Sequence, residues 1–178
     1  RLIIEHPEYI PAELHQQLDL RAGSDRGRIW RVLPVHQTPR PFPRLDRMNA
    51  VELAAALDSP NGWQRDMAQQ LLVERGDLAA VPELEKMVRE AARPQARLHA
   101  LCTLDGLNAL SNRVIEQALA DAHPGVRRHA VRLAAPRLND TPELARKVIG
   151  LAEDGDLHVV LQVAYALGEC TDPQAAAA

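Results

Sequence analysis

The stretch Asp121-Ala-His-Pro-Gly-Val-Arg-Arg-His-Ala130-Val-Arg-Leu133 decides the fold. From Val126 onward, its apolar residues recur at the spacing of a helix with one buried face. The small Ala130 at the centre of this helix lets a neighbouring helix approach closely, while Val126 and Leu133 fill the interface on either side. The stretch therefore predicts a helix that packs tightly against other helices along one face.

The same template occurs in three further copies along the chain. The central alanines are Ala68, Ala100, Ala130 and Ala164, which lie 32, 30 and 34 residues apart. Each copy is preceded by another segment with helical apolar spacing, at residues 51–57, 81–90, 114–119 and 144–151. A period of this length corresponds to one helix-turn-helix unit of a repeat protein. The sequence therefore predicts a mainly α fold, an α-solenoid of about four helical pairs.

Composition agrees with a helical fold and argues against some classes of partner. The apolar residues are mostly Ala, Leu and Val, and the 178 residues include only one Phe, two Tyr and two Trp. The net charge is -3 and no run of five like charges occurs, so the sequence predicts no nucleic-acid binding. No apolar stretch approaches the roughly 20 residues of a transmembrane helix.

The first part of the chain differs from the repeats. Residues 28–33 alternate charged or polar side chains with apolar ones, and this pattern predicts a strand with one buried face at the end of residues 1–35. So short a β segment cannot bury a core alone and is expected to belong to a larger sheet. Residues 36–47 hold three closely spaced prolines and predict a stiff linker, which places the helical repeats at 48–178.

Acidic and arginine side chains recur at fixed places in the repeats. Asp58 precedes Arg65, Glu90 precedes Arg97 and Asp121 precedes Arg127, by seven, seven and six residues. An acid that ends one helix can then meet the Arg of the next helix, and stacked units would form a ladder of charge-assisted hydrogen bonds. Leu161 stands where the fourth Arg is expected, so the ladder ends or changes there.

The repeat arginines and Trp63 also admit a binding interpretation. Arg65, Arg97 and Arg127 would line a concave surface for an anionic ligand if they were not paired, but their regular acidic partners favour the structural ladder. Trp63 lies at the start of a helix in the first repeat, where it is expected to seal the junction with the preceding domain rather than to serve as a ligand platform.

Two groups of residues are candidates for chemical sites. His99 and Cys102 lie three residues apart on one helix, but a zinc site needs about four ligands, so core packing is the favoured interpretation. Glu5, His6 and Glu8 share a proline-bounded loop and resemble a fragment of an acid/base or metal site, or else a solvated loop. No nucleophile or glycine-rich phosphate loop accompanies them. The sequence therefore assigns no catalytic, cofactor-binding or metal-binding residue.

Residues 121–133 closely resemble the signature of HEAT repeats, in which an Asp, a Pro and a Val-Arg pair precede the central Ala. The resemblance extends over roughly residues 48–170 and makes the four predicted helical pairs HEAT-like. Repeats of this class serve many functions, so the resemblance implies a scaffold without naming its partner.

A second resemblance covers nearly the whole chain in order. It is carried by the segments Ile4-Glu-His-Pro-Glu-Tyr-Ile-Pro11, Leu18-Asp-Leu-Arg-Ala-Gly23, Asp25-Arg-Gly-Arg-Ile-Trp-Arg-Val32, Ser59-Pro-Asn-Gly-Trp-Gln-Arg65 and Ala96-Arg-Leu-His-Ala-Leu101. Together they look like the large membrane-bound dehydrogenases of planctomycetes and verrucomicrobia. In that family a β-propeller similar to glucose/sorbosone dehydrogenases is followed by HEAT repeats and usually by a c-type cytochrome domain.

This family resemblance implies a parent protein and a location. Residues 1–35 would be the C-terminal tail of a β-propeller, and the parent would be a periplasmic or otherwise exported electron-transfer protein. The Cys-x-x-Cys-His motif is absent here, so any haem c would be bound elsewhere in the parent. The expected function is a non-catalytic scaffold that contacts other domains of the same polypeptide or a protein partner.

Two alternatives remain. The first is a free-standing HEAT-repeat adaptor that binds a protein partner on its concave face. The second and weaker is an enzyme built on His99 or on the loop of Glu5, His6 and Glu8.

Overall fold

The computed structural model describes residues 7–17, 26–27, 32, 34–36, 38, 41–173 and 175. The chain divides into two compact units, Arg1–Phe42 and Pro43–Ala178. In the first unit a 3-10 turn, Pro7–Tyr9, is followed by the short helix α1, Ala12–His15. Most of residues 28–33, where the sequence predicts a strand, lie outside the described residues, so that strand stays a prediction.

The second unit is built from helices that alternate with short turns. They are α2 (Ala50–Ala56), α3 (Gly62–Arg75), α4 (Val81–Glu90), α5 (Pro94–Gly106), α6 (Asn112–Leu119), α7 (Pro124–Ala134), α8 (Pro142–Ile149) and α9 (Leu157–Leu167). Each even-numbered helix packs against the odd-numbered helix that follows it, and these are the four pairs. The predicted mainly α fold of four stacked helical pairs is confirmed.

The pairs stack so that equivalent helices are neighbours. The second helices α3, α5, α7 and α9 pack against one another in chain order, and so do the first helices α2, α4, α6 and α8. The unit therefore has two helical layers with the core between them. We call the outer surfaces of these layers the first-helix face and the second-helix face.

Local sequence explains where the helices begin and end. Asn49 accepts a hydrogen bond from the Glu52 N–H while the Glu52 carboxylate accepts one from the Asn49 N–H, each at 2.9 Å, and this capping box starts α2. The Asp156 carboxylate accepts hydrogen bonds from the His158 and Val159 N–H groups and caps α9, and Pro124 occupies the first turn of α7. Helix α3 ends at Arg75 and is capped by Gly76, whose φ of +61° lies in the left-handed region that glycine adopts without strain.

The core supports the predicted role of the central alanines in three of the four pairs. Ala68, Ala100 and Ala130 are fully buried, each seven residues after the N-cap of its helix. In α9 the residue seven after the Asp156 cap is Val163, which is buried, whereas Ala164 is exposed. The prediction of Ala164 as the fourth central residue is therefore wrong by one position, because the cap sets the phase of the helix.

The shifted phase of α9 also changes which residue replaces the repeat arginine. Arg65, Arg97 and Arg127 each lie four residues after an N-cap, and the equivalent residue of α9 is Val160 rather than the predicted Leu161. Leu161 instead lies on the second-helix face, where it is 53% exposed.

Candidate functional site

Arg97 connects the second and third helical pairs. Its Nε and Nη2 donate to Oδ2 and Oδ1 of Asp121 at 2.6 and 2.7 Å, and its Nη1 donates to the Ala91 carbonyl at 2.7 Å. The side chains of Arg97 and Asp121 are only 14% and 8% exposed. One guanidinium thus joins the turn of its own pair to the turn of the next pair.

Arg127 repeats this arrangement one unit further along. Its Nε and Nη2 each donate to a carboxylate oxygen of Asp154 at 2.7 Å, and its Nη1 donates to the Asp121 carbonyl at 2.9 Å. The two arginines and two aspartates form two consecutive rungs, which we call the Arg–Asp ladder. Such bidentate pairs are both directional and stronger than neutral hydrogen bonds.

The ladder shifts the titration of its members. Burial of the Asp121 carboxyl opposes its ionisation, but the hydrogen bonds from Arg97 and the His123 N–H outweigh it and lower the pKa of Asp121. Hydrogen bonds from Arg127 lower the pKa of Asp154, and the same bonds raise the pKa values of Arg97 and Arg127. The four groups are therefore held in their charged forms.

The predicted pairing of each acid with the Arg of its own unit is wrong in register. Asp121 gives Arg127 only its backbone carbonyl, while its carboxylate binds Arg97 of the preceding pair. The carboxylate of Asp58 lies 3.1 Å from Arg93, and that of Glu90 lies 3.8 Å from Arg89. In the third and fourth pairs, the turn between the two helices directs its acidic side chain at the Arg of the pair before it, whereas Asp58 faces Arg93 of the pair that follows.

Arg65 occupies the ladder position of the first pair but lacks the carboxylate. Its Nη1 donates to the Ser59 carbonyl at 2.8 Å, as its counterparts do in later pairs. The residue equivalent to Asp121 and Asp154, two positions before the next N-cap, is Ala91. The Nε of Arg65 is buried and has no hydrogen-bond partner in the part of the chain that the structure describes.

Further hydrogen bonds tie consecutive pairs at the opposite ends of their second helices. Arg137 donates to the Leu110 carbonyl at 2.8 Å, and Asn139 accepts from the Thr171 N–H at 2.8 Å while donating to the Glu169 carbonyl at 3.2 Å. The stack is thus fixed by polar contacts on both sides of its apolar core.

The remaining predicted site residues lie apart from the ladder. Trp63 is half exposed at the start of α3, where Asn61 caps its N–H at 3.1 Å, and its role at a domain junction stays a prediction. Glu8 is exposed in the first unit. Glu5 and His6 lie outside the described residues, so the loop trio stays a prediction.

His99 and Cys102 have polar neighbours that do not make a metal site. His99 Nδ1 lies 2.7 Å from Gln69 Oε1. Burial of the ring lowers the pKa of His99, and the positive charge of Arg65 lowers it further. Burial raises the pKa of the Cys102 thiol, whose sulfur lies 3.9 Å from Nη2 of Arg132. Across the described ranges no group of three or more His, Cys, Asp or Glu side chains is placed to hold a metal ion.

A groove on the second-helix face was not predicted from the sequence. It lies between α7 and α9, has a volume of about 250 Å³, and we call it the α7–α9 groove. Its lining consists of Arg128, His129, Arg132, His158, Leu161, Gln162 and Tyr165. The signal available in the sequence was the pair of arginines in α7 that follow the ladder residue, but their partner helix is about thirty residues away.

Ion pairs link the charges of the first-helix face. Glu85 of α4 lies 3.4 Å from Arg113 of α6, and Glu116 of α6 lies 2.7 Å from Lys147 of α8. This face therefore offers paired charges to solvent, in contrast to the α7–α9 groove.

Among the described residues, no helix is both long enough and apolar enough to cross a bilayer.

Stacked helical pairs joined by an Arg–Asp ladder define an α-solenoid of helical repeats. Comparison with known families agrees, since residues 111–178 match HEAT repeats. That stretch begins at the cap of α6 and includes the second rung of the ladder. Residues 1–36 match a domain of unknown function, DUF7133. No curated protein matches the chain.

Proposed function

We propose that this chain is a non-catalytic scaffold that presents its second-helix face to another protein or to another domain of the same polypeptide. The observation that carries the proposal is the division of arginines on α7. Arg127 is bound internally by Asp154, whereas Arg128 and Arg132 line a groove open to solvent. The match to HEAT repeats supports it, since repeats of this class build extended surfaces for protein contacts.

Site-specific photo-crosslinking in the native host tests this proposal. A benzoylphenylalanine replaces Tyr165 on the second-helix face, and a matched variant carries it at Val51, an exposed apolar residue of α2. We expect a discrete adduct from position 165 and none from position 51. Mass spectrometry of the adduct distinguishes a separate protein from a domain of the same polypeptide. Equal labelling at both positions would contradict a dedicated binding face.

The sequence resemblance supports a finer proposal about the parent protein. We propose that the parent is a larger exported dehydrogenase-like electron-transfer protein, with a β-propeller before the repeats and haem c outside this stretch. Peptide mapping of the native polypeptide, together with haem staining, tests it. A polypeptide with propeller peptides and a haem-bearing peptide supports the finer proposal. A polypeptide that lacks both leaves the adaptor alternative.

A further inference from the structure

We propose that the α7–α9 groove binds an acidic side chain of a protein partner, with an apolar neighbour of that residue seated on Leu161 and Tyr165. This inference rests on the proposed scaffold function and specifies the chemistry of the partner. It is carried by the charges, the size and the apolar rim of the groove, and by the exposed acidic side chains on the second helices that precede α7.

The two arginines of the groove lack the carboxylates that bind other arginines of this unit. Arg97, Arg127 and Arg113 each have a carboxylate oxygen within 3.4 Å. Within the described part of the chain, Arg128 and Arg132 have no carboxylate at ion-pair distance. Their observed contacts are weaker: Arg128 Nη2 lies 3.2 Å from His129 Nε2, and Arg132 Nη2 lies 3.9 Å from the Cys102 sulfur.

His129 lies between the arginines and responds to their charge. Burial, followed by the charges of Arg128 and Arg132, lowers the pKa of His129, so its ring stays neutral near pH 7. A neutral ring can accept a hydrogen bond from Arg128 and carries no negative charge to balance the two guanidiniums. His158 on α9 lies 3.4 Å from Asp156, at the start of the helix. The groove is therefore a positive site bounded by a polar edge.

The size of the groove suits a side chain better than a cofactor. Its volume of about 250 Å³ lies below the roughly 300–1,000 Å³ typical of small-molecule sites. Leu161 and Tyr165 form a rim that is 53% and 68% exposed. Tyrosine and arginine, together with tryptophan, are enriched among the residues that contribute most to protein–protein binding. A partner residue with a carboxylate, next to an apolar residue, would satisfy both parts of this surface.

The surrounding charges favour a short acidic segment of a protein over a nucleic acid. Asp66 on α3 and Asp105 on α5 are exposed on second helices that precede α7. Their carboxylates would repel a long polyanion that extends beyond the groove. Nucleic-acid binding also needs many phosphate contacts, and the chain has a net charge of -3. The positive charge of the groove comes from two arginines of α7, which matches one or two acidic residues.

Selection from a random peptide library displayed on phage tests the inference with the whole chain as target. We expect the selected peptides to share an Asp or Glu beside a Leu, Ile or Phe. A synthetic fluorescein-labelled copy of the best peptide should then bind the Arg128→Gln/Arg132→Gln variant roughly tenfold more weakly or worse, because a charged hydrogen bond contributes about 1.5–3 kcal/mol. Its affinity should also fall as salt is raised.

The matched control is the Arg113→Gln/Arg146→Gln variant, which removes the same charge from the first-helix face and should bind the peptide as the unchanged chain does. Circular dichroism verifies that both variants are helical. The single Arg132→Glu change, at an exposed position, provides a second test of peptide binding. Peptides without acidic residues, or acidic peptides that bind the groove variant equally well, overturn the inference. If non-acidic peptides prevent the crosslink that benzoylphenylalanine forms at position 165, the scaffold proposal still stands.

Discussion

Replacing Asp121 by Ala should test the energetic importance of the Arg–Asp ladder. The change removes both acceptors of Arg97 Nε and Nη2 and leaves a guanidinium that is only 14% exposed without its carboxylate. Charged hydrogen bonds contribute about 1.5–3 kcal/mol and breaking a buried ion pair costs about 3–5 kcal/mol. Because the pair is not fully buried, we expect a loss of about 3 kcal/mol in the free energy of unfolding, measured by urea titration with circular dichroism.

The control for the Asp121 variant is Glu116→Ala, which removes an acid from an exposed ion pair of α6, the helix that precedes Asp121. Glu116 and its partner Lys147 are 27% and 51% exposed, so we expect a loss of less than about 1 kcal/mol. In thermal melts, the Asp121 variant should lose roughly 6–12 °C, at about 2–4 °C per kcal/mol for a chain of this size. If both variants lose the same small amount, the ladder does not hold the pairs together and the reasoning is refuted.

The pH dependence gives a second measurement on the same variant. Because Arg97 keeps the folded pKa of Asp121 below its unfolded value, the unfolded chain binds this proton first on acidification. The stabilising contribution is therefore complete above the unfolded pKa, about 3.9, and is lost as the pH falls through the folded value. The Asp121→Ala variant should show a weaker decline in stability below about pH 4. An unchanged decline would assign the acid sensitivity to other groups.

Three further changes probe the stack. Ala91→Asp should supply the carboxylate that Arg65 lacks and raise the free energy of unfolding by about 1 kcal/mol in urea titrations, whereas Ala91→Asn should not. Gly106→Ala should cost about 1–3 kcal/mol in the same assay, because the new Cβ would lie 2.7 Å from a valine side chain of α3; Gly155→Ala, with no atom nearby, is the neutral control. Because the pKa of His99 is lower in the folded chain than in the unfolded chain, the free energy of unfolding should fall as the pH drops below about 6.5. The His99→Gln variant should show a smaller fall between about pH 7.5 and about pH 5.5.

The helices could be predicted because their signals are local. Apolar periodicity located all four pairs, and prolines, glycines and polar caps such as Asn49 and Asp156 marked their ends. The one error of phase, Ala164 for Val163, arose because the central position of α9 holds a valine and the adjacent residue is an alanine. Counting from the cap would have given the correct residue, since the distance from cap to central residue is seven in every pair.

The partners of the arginines could not be predicted in the same way. Sequence spacing placed Asp121 near Arg127 in the same unit, but the direction of a side chain in a turn depends on how the pairs stack. Stacking brings the Asp121 carboxylate to Arg97, 24 residues earlier, and the Asp154 carboxylate to Arg127. The α7–α9 groove is likewise a product of stacking, because its arginines and its apolar rim belong to different helical pairs.

The ladder and the groove meet on α7, and helix geometry explains how one helix serves both. Successive residues of a helix point about 100° apart, so Arg127 can face the next turn while Arg128 faces the groove. On α9 the ladder position holds Val160, which cannot donate to a carboxylate, so the arginine series ends at the pair that completes the groove. The arginines that stabilise the stack and those proposed to bind a partner are thus separable by substitution, which makes Asp121→Ala and Arg128→Gln/Arg132→Gln independent tests.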